Sequence, residues 1–146
     1  MVTKLKYVGV SIEDLIDTYI LFIRSVMEYC SVVFHSRLTV QQSVMLERVQ
    51  KTCLKVILGD MYINYSSALE MCGLTTLYSR REKRCLDFSV KCLKHPRNKK
   101  LFPLNTRKHD LHAKTKEMFH VNHARTTTYR QSAVPYCQRI LNAKYS

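Results

Sequence analysis

The residues of this 146-residue chain that could do chemistry are its 6 Cys, 6 His and 11 carboxylates, and their spacing argues against most reactions. Polymerase and nuclease chemistry needs clustered carboxylates that hold two metal ions. Here most of the acids fall at helix starts or between basic residues, with no paired-Asp motif on a strand. Only 3 glycines are present, none near another, which excludes a Gly-rich phosphate loop. No signature surrounds any cysteine to mark it as a nucleophile. Cys92-x-x-His95, His109-x-x-His112 and His120-x-x-His123 are ligand-type pairs, and zinc sites are often built from two such pairs. A small zinc-binding module is therefore one alternative. Against it, Cys92 belongs to an apolar helix arc and both His pairs lie in a basic stretch. The expectation is a chain with no catalytic residue, no metal and no cofactor.

The cations carry more information. Lys plus Arg number 24 against 11 acids, a net charge of +13, which favours an anionic partner. The clearest helix is Met45–Gly59. Leu46, Val49, Cys53, Val56 and Ile57 recur on one face, and Arg48, Lys51 and Lys55 on another. Thr39 with Gln42 reads as a capping box before it, and Gly59 as its stop. A second basic helix is expected from Thr75 or Thr76 to about His95, ended by Pro96. Its apolar arc holds Leu77, Cys85, Leu86, Phe88, Val90, Cys92 and Leu93. Arg80, Lys83, Arg84, Lys91 and Lys94 gather opposite, interrupted by Asp87.

Other elements must hold these two. Lys4–Gly9 reads as the last turn of a helix, Ser11 as the N-cap of the next. The stripe Ile12, Leu15, Ile16, Tyr19, Ile20, Ile23, Met27, Cys30 and Phe34 predicts one helix of about 20 residues ending near His35. Ser66 or Ser67 should cap a short helix stopped at Gly73. Arg97–Arg130 carries nine Lys or Arg against Asp110 and Glu117, with a thin apolar pattern, and is expected to be irregular. Ser132–Asn142 predicts a last short helix with Val134, Cys137, Ile140 and Leu141 as its apolar side. Cys30, Cys53, Cys85 and Cys92 fall on apolar faces, where a free thiol behaves as a small hydrophobe. Met1–Gly9 has lysines and no long apolar run, unlike a signal peptide. Tyr19–Phe34 contains Arg24 and Glu28 and is too short to span a bilayer. These features predict an intracellular, reducing compartment (nucleus or cytoplasm) and no membrane partner.

The fold expected is all-α: a small helical bundle of about four helices over 1–96, followed by a basic, largely irregular segment over 97–146 with a short terminal helix. Tyr62, Tyr65, Tyr78, Phe119 and Tyr129, near basic residues or in loops, are candidates to stack on bases or sugars. Contacts from the basic helices would be to phosphates, which position a strand without reading its sequence.

The order of segments FIRSVMEYCSVVFHSRLT, QSVMLERVQKTCLKVILG, YSSALEMCGLTTLYSRREKRCLDFSVKCLKHPRNKKLFP and ARTTTYRQSAVPYCQRILN resembles the C-terminal end of the reverse transcriptase of non-LTR retrotransposons, jockey-like or RTE-like. Leu46–Gly59, Leu74–Leu93 and Arg125–Asn142 carry the likeness. Ser25 stands where the family usually has proline, and Phe34 where it has tryptophan. The resemblance implies the helical thumb, which packs on the template–primer duplex, and the region after it. It implies that Arg48, Lys51, Lys55, Arg80, Arg81, Lys83 and Arg84 match the family's basic positions. Lys91, Arg125 and Arg130 complete the candidate nucleic-acid contacts. The implied partners are RNA, DNA or their hybrid, and the polymerase palm. The palm's acidic motif is absent here, so the RNA-directed DNA polymerase activity of the parent is not implied for this chain. A truncated element product that binds nucleic acid without catalysis is the expected function. The alternatives are a structural or interaction relic, or the zinc module.

Overall fold

The computed structural model describes residues 1–105, 118–121 and 123–145. It is all-α: among these residues the sole extended pairing is an isolated antiparallel bridge between Leu104 and Phe119. There are more helical segments than the about four expected. The chain forms two compact units, Met1–Cys30 with Leu38–Arg81, and Ser31–Arg37 with Glu82–Ser146. The chain passes between the units after Cys30, after Arg37 and after Arg81, the last of these inside a helix.

The first unit opens with α1 (Val2–Tyr7), and Gly9 follows at φ 87°. Next comes α2 (Ile12–Thr18), which runs through a π-helical stretch, Tyr19–Arg24, into α3 (Ser25–Glu28). Ser11 caps α2 as expected, accepting from the Asp14 amide at 3.2 Å. The π stretch ends where Ser25 Oγ donates to the Leu21 and Phe22 carbonyls. The single long helix expected to end near His35 stops early, at Glu28. Cys30 takes φ +51°, which ends the helical run, and α4 (Ser31–Phe34) with the turn His35–Arg37 belongs to the other unit. No Gly or Pro marks this break, so the apolar spacing runs across it unbroken. As a result Cys30 is exposed, not on a buried face.

Helix α5 (Val40–Leu58) starts on the Thr39–Gln42 capping box, complete in both directions. It stops at Gly59, whose φ of 57° and ψ of −121° suit glycine alone. Lys6 Nζ closes this end by donating to the Val56 and Ile57 carbonyls at 2.7 and 3.2 Å, satisfying acceptors that the helix leaves open. Helix α6 (Tyr65–Met71) is capped by Asn64, not by Ser66 or Ser67. Thr76 caps α7 (Leu77–Lys94), accepting from the Ser79 amide at 3.2 Å. Two apolar clusters fill this unit. One joins Val2, Leu15, Tyr19 and Ile57; the other joins Leu54, Leu58, Ala68 and Leu69.

The second unit keeps the expected terminal helix and adds two short helices to the stretch expected to be irregular. Pro96 opens α8 (Pro96–Lys99), α9 spans Thr127–Arg130, and α10 runs from Ala133 to Tyr145. Cys92, Phe102, Phe119, Cys137 and Leu141 form a buried core. Buried amides tie irregular backbone to α10. Asn142 both accepts from the Phe119 amide (2.8 Å) and donates to its carbonyl (2.9 Å), and Gln138 donates to the Leu101 carbonyl. His35 Nε2 lies 3.1 Å from the Tyr136 hydroxyl, their rings edge to face. Residues 106–117, part of the expected basic stretch, lie outside the described residues.

Candidate nucleic-acid interface

The expected apolar face of α5 is rotated from the observed one. Gln50, Leu54, Ile57 and Leu58 are buried, whereas Val49 is exposed and Leu46, Cys53 and Val56 are half-buried. A polar network explains the shift. Gln50 accepts from the Tyr19 hydroxyl at 2.6 Å and donates to the Tyr65 hydroxyl and the Thr75 carbonyl. Glu47 accepts from Tyr65 at 2.9 Å and from the Leu77 amide with both carboxylate oxygens. It therefore sits at the positive N-terminal end of α7, where a carboxylate is favoured. Burial, and for Tyr65 also the bond to Glu47, pushes both phenols above their ordinary value.

This inward turn strips the outer side of α5 of negative charge, because Glu47 is the only acid in the helix. Arg48, Lys51 and Lys55 are all exposed there. Spaced by three and four residues, they make a row of about 10 Å along the axis. Lys55 Nζ stands 5.5 Å from the Tyr62 ring centroid, a cation–π contact that steadies one end of the row. Beside it, Met45, Arg48, Val49, Thr52 and Cys53 line an open groove of about 390 Å³.

The start of α7 uses its cations differently. Arg80 forms a two-bond ion pair with Glu28, Nε at 2.7 Å and Nη2 at 3.2 Å, and the carboxylate raises its pKa. Arg81 is fully buried and donates to Ser43 Oγ at 3.0 Å. Both positions carry internal structure, which phosphate contact would have to disrupt. Lys83, Arg84 and Lys91 lie exposed further along the helix, accompanied by exposed Glu82 and Asp87. Arg125 and Arg130 are exposed as well, and the Arg130 carbonyl accepts from Arg139.

Among the candidate stacking rings, Phe119 is core and Tyr65 belongs to the Glu47–Gln50 network, while Tyr78 and Tyr129 are exposed. Phe88, assigned to the apolar arc on spacing alone, is 44% exposed. Of the zinc candidates, Cys92 is buried in the second unit's core, while His95 and His123 are exposed. No group of three ligand-type residues is gathered among the described residues, and His109 and His112 lie outside them. Burial raises the thiol pKa of Cys92 and Cys137, which disfavours the thiolate a metal needs. Among the described residues no helix is long and apolar enough to cross a membrane.

Sequence reasoning missed the Glu28–Arg80 pair and the Glu47–Gln50 network. The available signal was three polar residues lying within stretches read as apolar faces. No protein-family model, no curated protein and no solved structure matches this chain.

Proposed function

We propose that this chain is a non-catalytic nucleic-acid-binding protein that grips RNA, DNA or their hybrid through phosphates. One observation carries the reading: the outer face of α5 presents Arg48, Lys51 and Lys55 with no carboxylate among them. A regular row of exposed cations is suited to a regular row of phosphates. The net charge of +13 supports the same partner. The resemblance to the thumb and post-thumb region of non-LTR retrotransposon reverse transcriptases, with the polymerase palm as a further partner, accords with this role. Within that reading Arg80 and Arg81 support the fold, and Arg48, Lys51, Lys55, Lys83, Arg84 and Lys91 make the contacts.

Binding of a labelled RNA–DNA hybrid is to be measured against salt for the wild type and an Arg48/Lys51/Lys55→Ala variant. Each lost phosphate contact removes about 0.9 from the log–log salt slope, so the variant should lose roughly 2 to 3 units of slope along with affinity. An unchanged slope, or no hybrid binding near physiological salt, rules out the proposal.

A second reading, an interaction protein without a nucleic-acid role, draws on a different surface. Leu21, Phe22, Val26 and Tyr29, from the π-helical stretch to the C-cap of α3, are each at least 60% exposed. Light scattering that shows concentration-dependent self-association, abolished by Phe22→Ser/Val26→Ser, would favour it.

A further inference from the structure

We propose that the outer face of the second half of α7 is a binding site for single-stranded nucleic acid, with one unpaired base stacked on Phe88 and its flanking phosphates held by Arg84 and Lys91. This rests on the nucleic-acid reading above and specifies the strand form that this face takes.

The inner side of α7 here is Cys85, Ser89 and Cys92, all buried. Phe88 is 44% exposed and belongs to none of the apolar clusters. Phe102 and Phe119 of the same unit are each 3% exposed, which sets Phe88 apart from that unit's core rings. The residues one helical turn from Phe88 are Arg84 and Cys85 on one side and Lys91 and Cys92 on the other. The cysteines face the core, so the two cations flank the ring on the solvent side. The helical rise sets Arg84 and Lys91 about 10 Å apart with the ring between them.

That order, cation–ring–cation, matches phosphate–base–phosphate. A duplex hides the faces of its bases in the stack, whereas a single strand offers them to an aromatic platform. RNA and DNA share this chemistry. Two other surfaces lack it. Phe22 is 60% exposed, but its neighbours one turn away are Thr18, Tyr19, Ser25 and Val26, with no cation among them. Helix α5 has the cations and no aromatic residue. Asp87, exposed beside Phe88, opposes phosphate and sets a limit on affinity.

The chain contains no tryptophan, so Phe88→Trp in the full protein creates a single indole reporter. It is titrated with oligouridylate and oligodeoxythymidylate of about 12 nucleotides, and with a blunt RNA–DNA hybrid. Both single strands should quench the indole and the hybrid should not. Phe88→Ala, at an exposed position, should weaken single-strand binding about tenfold and leave hybrid affinity unchanged. Phe88→Tyr should restore it, and Asp87→Asn should strengthen it. If Phe88→Ala binds single strands like the wild type, or the hybrid quenches the indole equally, the stacking site is wrong while hybrid binding keeps the broader reading. Polyglutamate competing as well as the oligonucleotides at equal charge also overturns it. Binding of neither strand form at low salt removes both proposals.

Discussion

Helix α5 and the first turn of α7 both carry closely spaced cations, and the fold sends them to opposite places. Arg48, Lys51 and Lys55 stand in solvent, while Arg80 is held by Glu28 and Arg81 is buried against Ser43. The difference arises from where each helix keeps its acid. Glu47 turns inward and leaves the outer side of α5 purely cationic. On α7 the inward-turned charges are the arginines, and Glu82 and Asp87 remain outside among the lysines. Positive charge along a helix therefore stands unopposed in solvent only where its neighbours of opposite sign have been withdrawn.

The largest effect should come from the inward side. Glu28 is 1% exposed at its side chain, and Glu28→Ala leaves the Arg80 guanidinium without its carboxylate. We expect a loss of about 3 kcal/mol, the low end for breaking a buried pair because Arg80 is partly solvated. Chemical denaturation reads the loss, and folded protein should keep its hybrid affinity. A variant as stable as the wild type would erase the contrast between the two helices.

Alkaline pH probes the network behind α5. Burial raises the phenols of Tyr19 and Tyr65 above their ordinary 10.0, and the thiols of Cys53 and Cys72 above 9.0. Groups raised on folding give stability that is complete below the unfolded value and lost as pH climbs past it. Stability should hold up to about pH 9 and then decline, steepening beyond pH 10 by at most about 1.4 kcal/mol per pH unit for each phenol. A flat melting temperature from pH 9 to 11 would show that these hydroxyls are solvated.

Smaller changes sharpen the picture. Cys30→Gly removes the cost of a side chain at φ +51° and should stabilise by about 1 kcal/mol in thermal melts; a decrease would mean that the cysteine makes compensating contacts. The Arg48/Lys51/Lys55→Ala variant should differ in stability by no more than about 0.5 kcal/mol per site, as exposed positions do. A larger loss would assign the α5 row a structural role like that of Arg80.

Much of the fold was legible in the chain, and its legible parts share a cause. The caps at Ser11, Thr39 and Thr76 each bond an amide three residues ahead, so the motif contains its own partner. Gly59 and Gly73, at φ 57° and 61°, announce helix ends because few other residues tolerate that backbone. The candidate site was half legible. Arg48, Lys51 and Lys55 could be placed on one face by spacing, yet nothing in that spacing separates them from Arg80 or raises Phe88 above the rest of its apolar arc.

By itself, then, the sequence determined the all-α class, the ends of those helices that carry their own caps or glycine stops, and a cationic surface of some kind, since hydrogen bonds within one turn and net charge need no distant partner. Tertiary structure decided which face of α5 is inside, where the long first helix breaks, and that the chain beyond Pro96 builds a core. Each decision depends on groups far apart along the chain: Gln50 on Tyr19 and Thr75, Glu28 on Arg80, Asn142 on Phe119. A buried polar group is tolerated only when such a partner arrives, and helical periodicity carries no information about partners that distant.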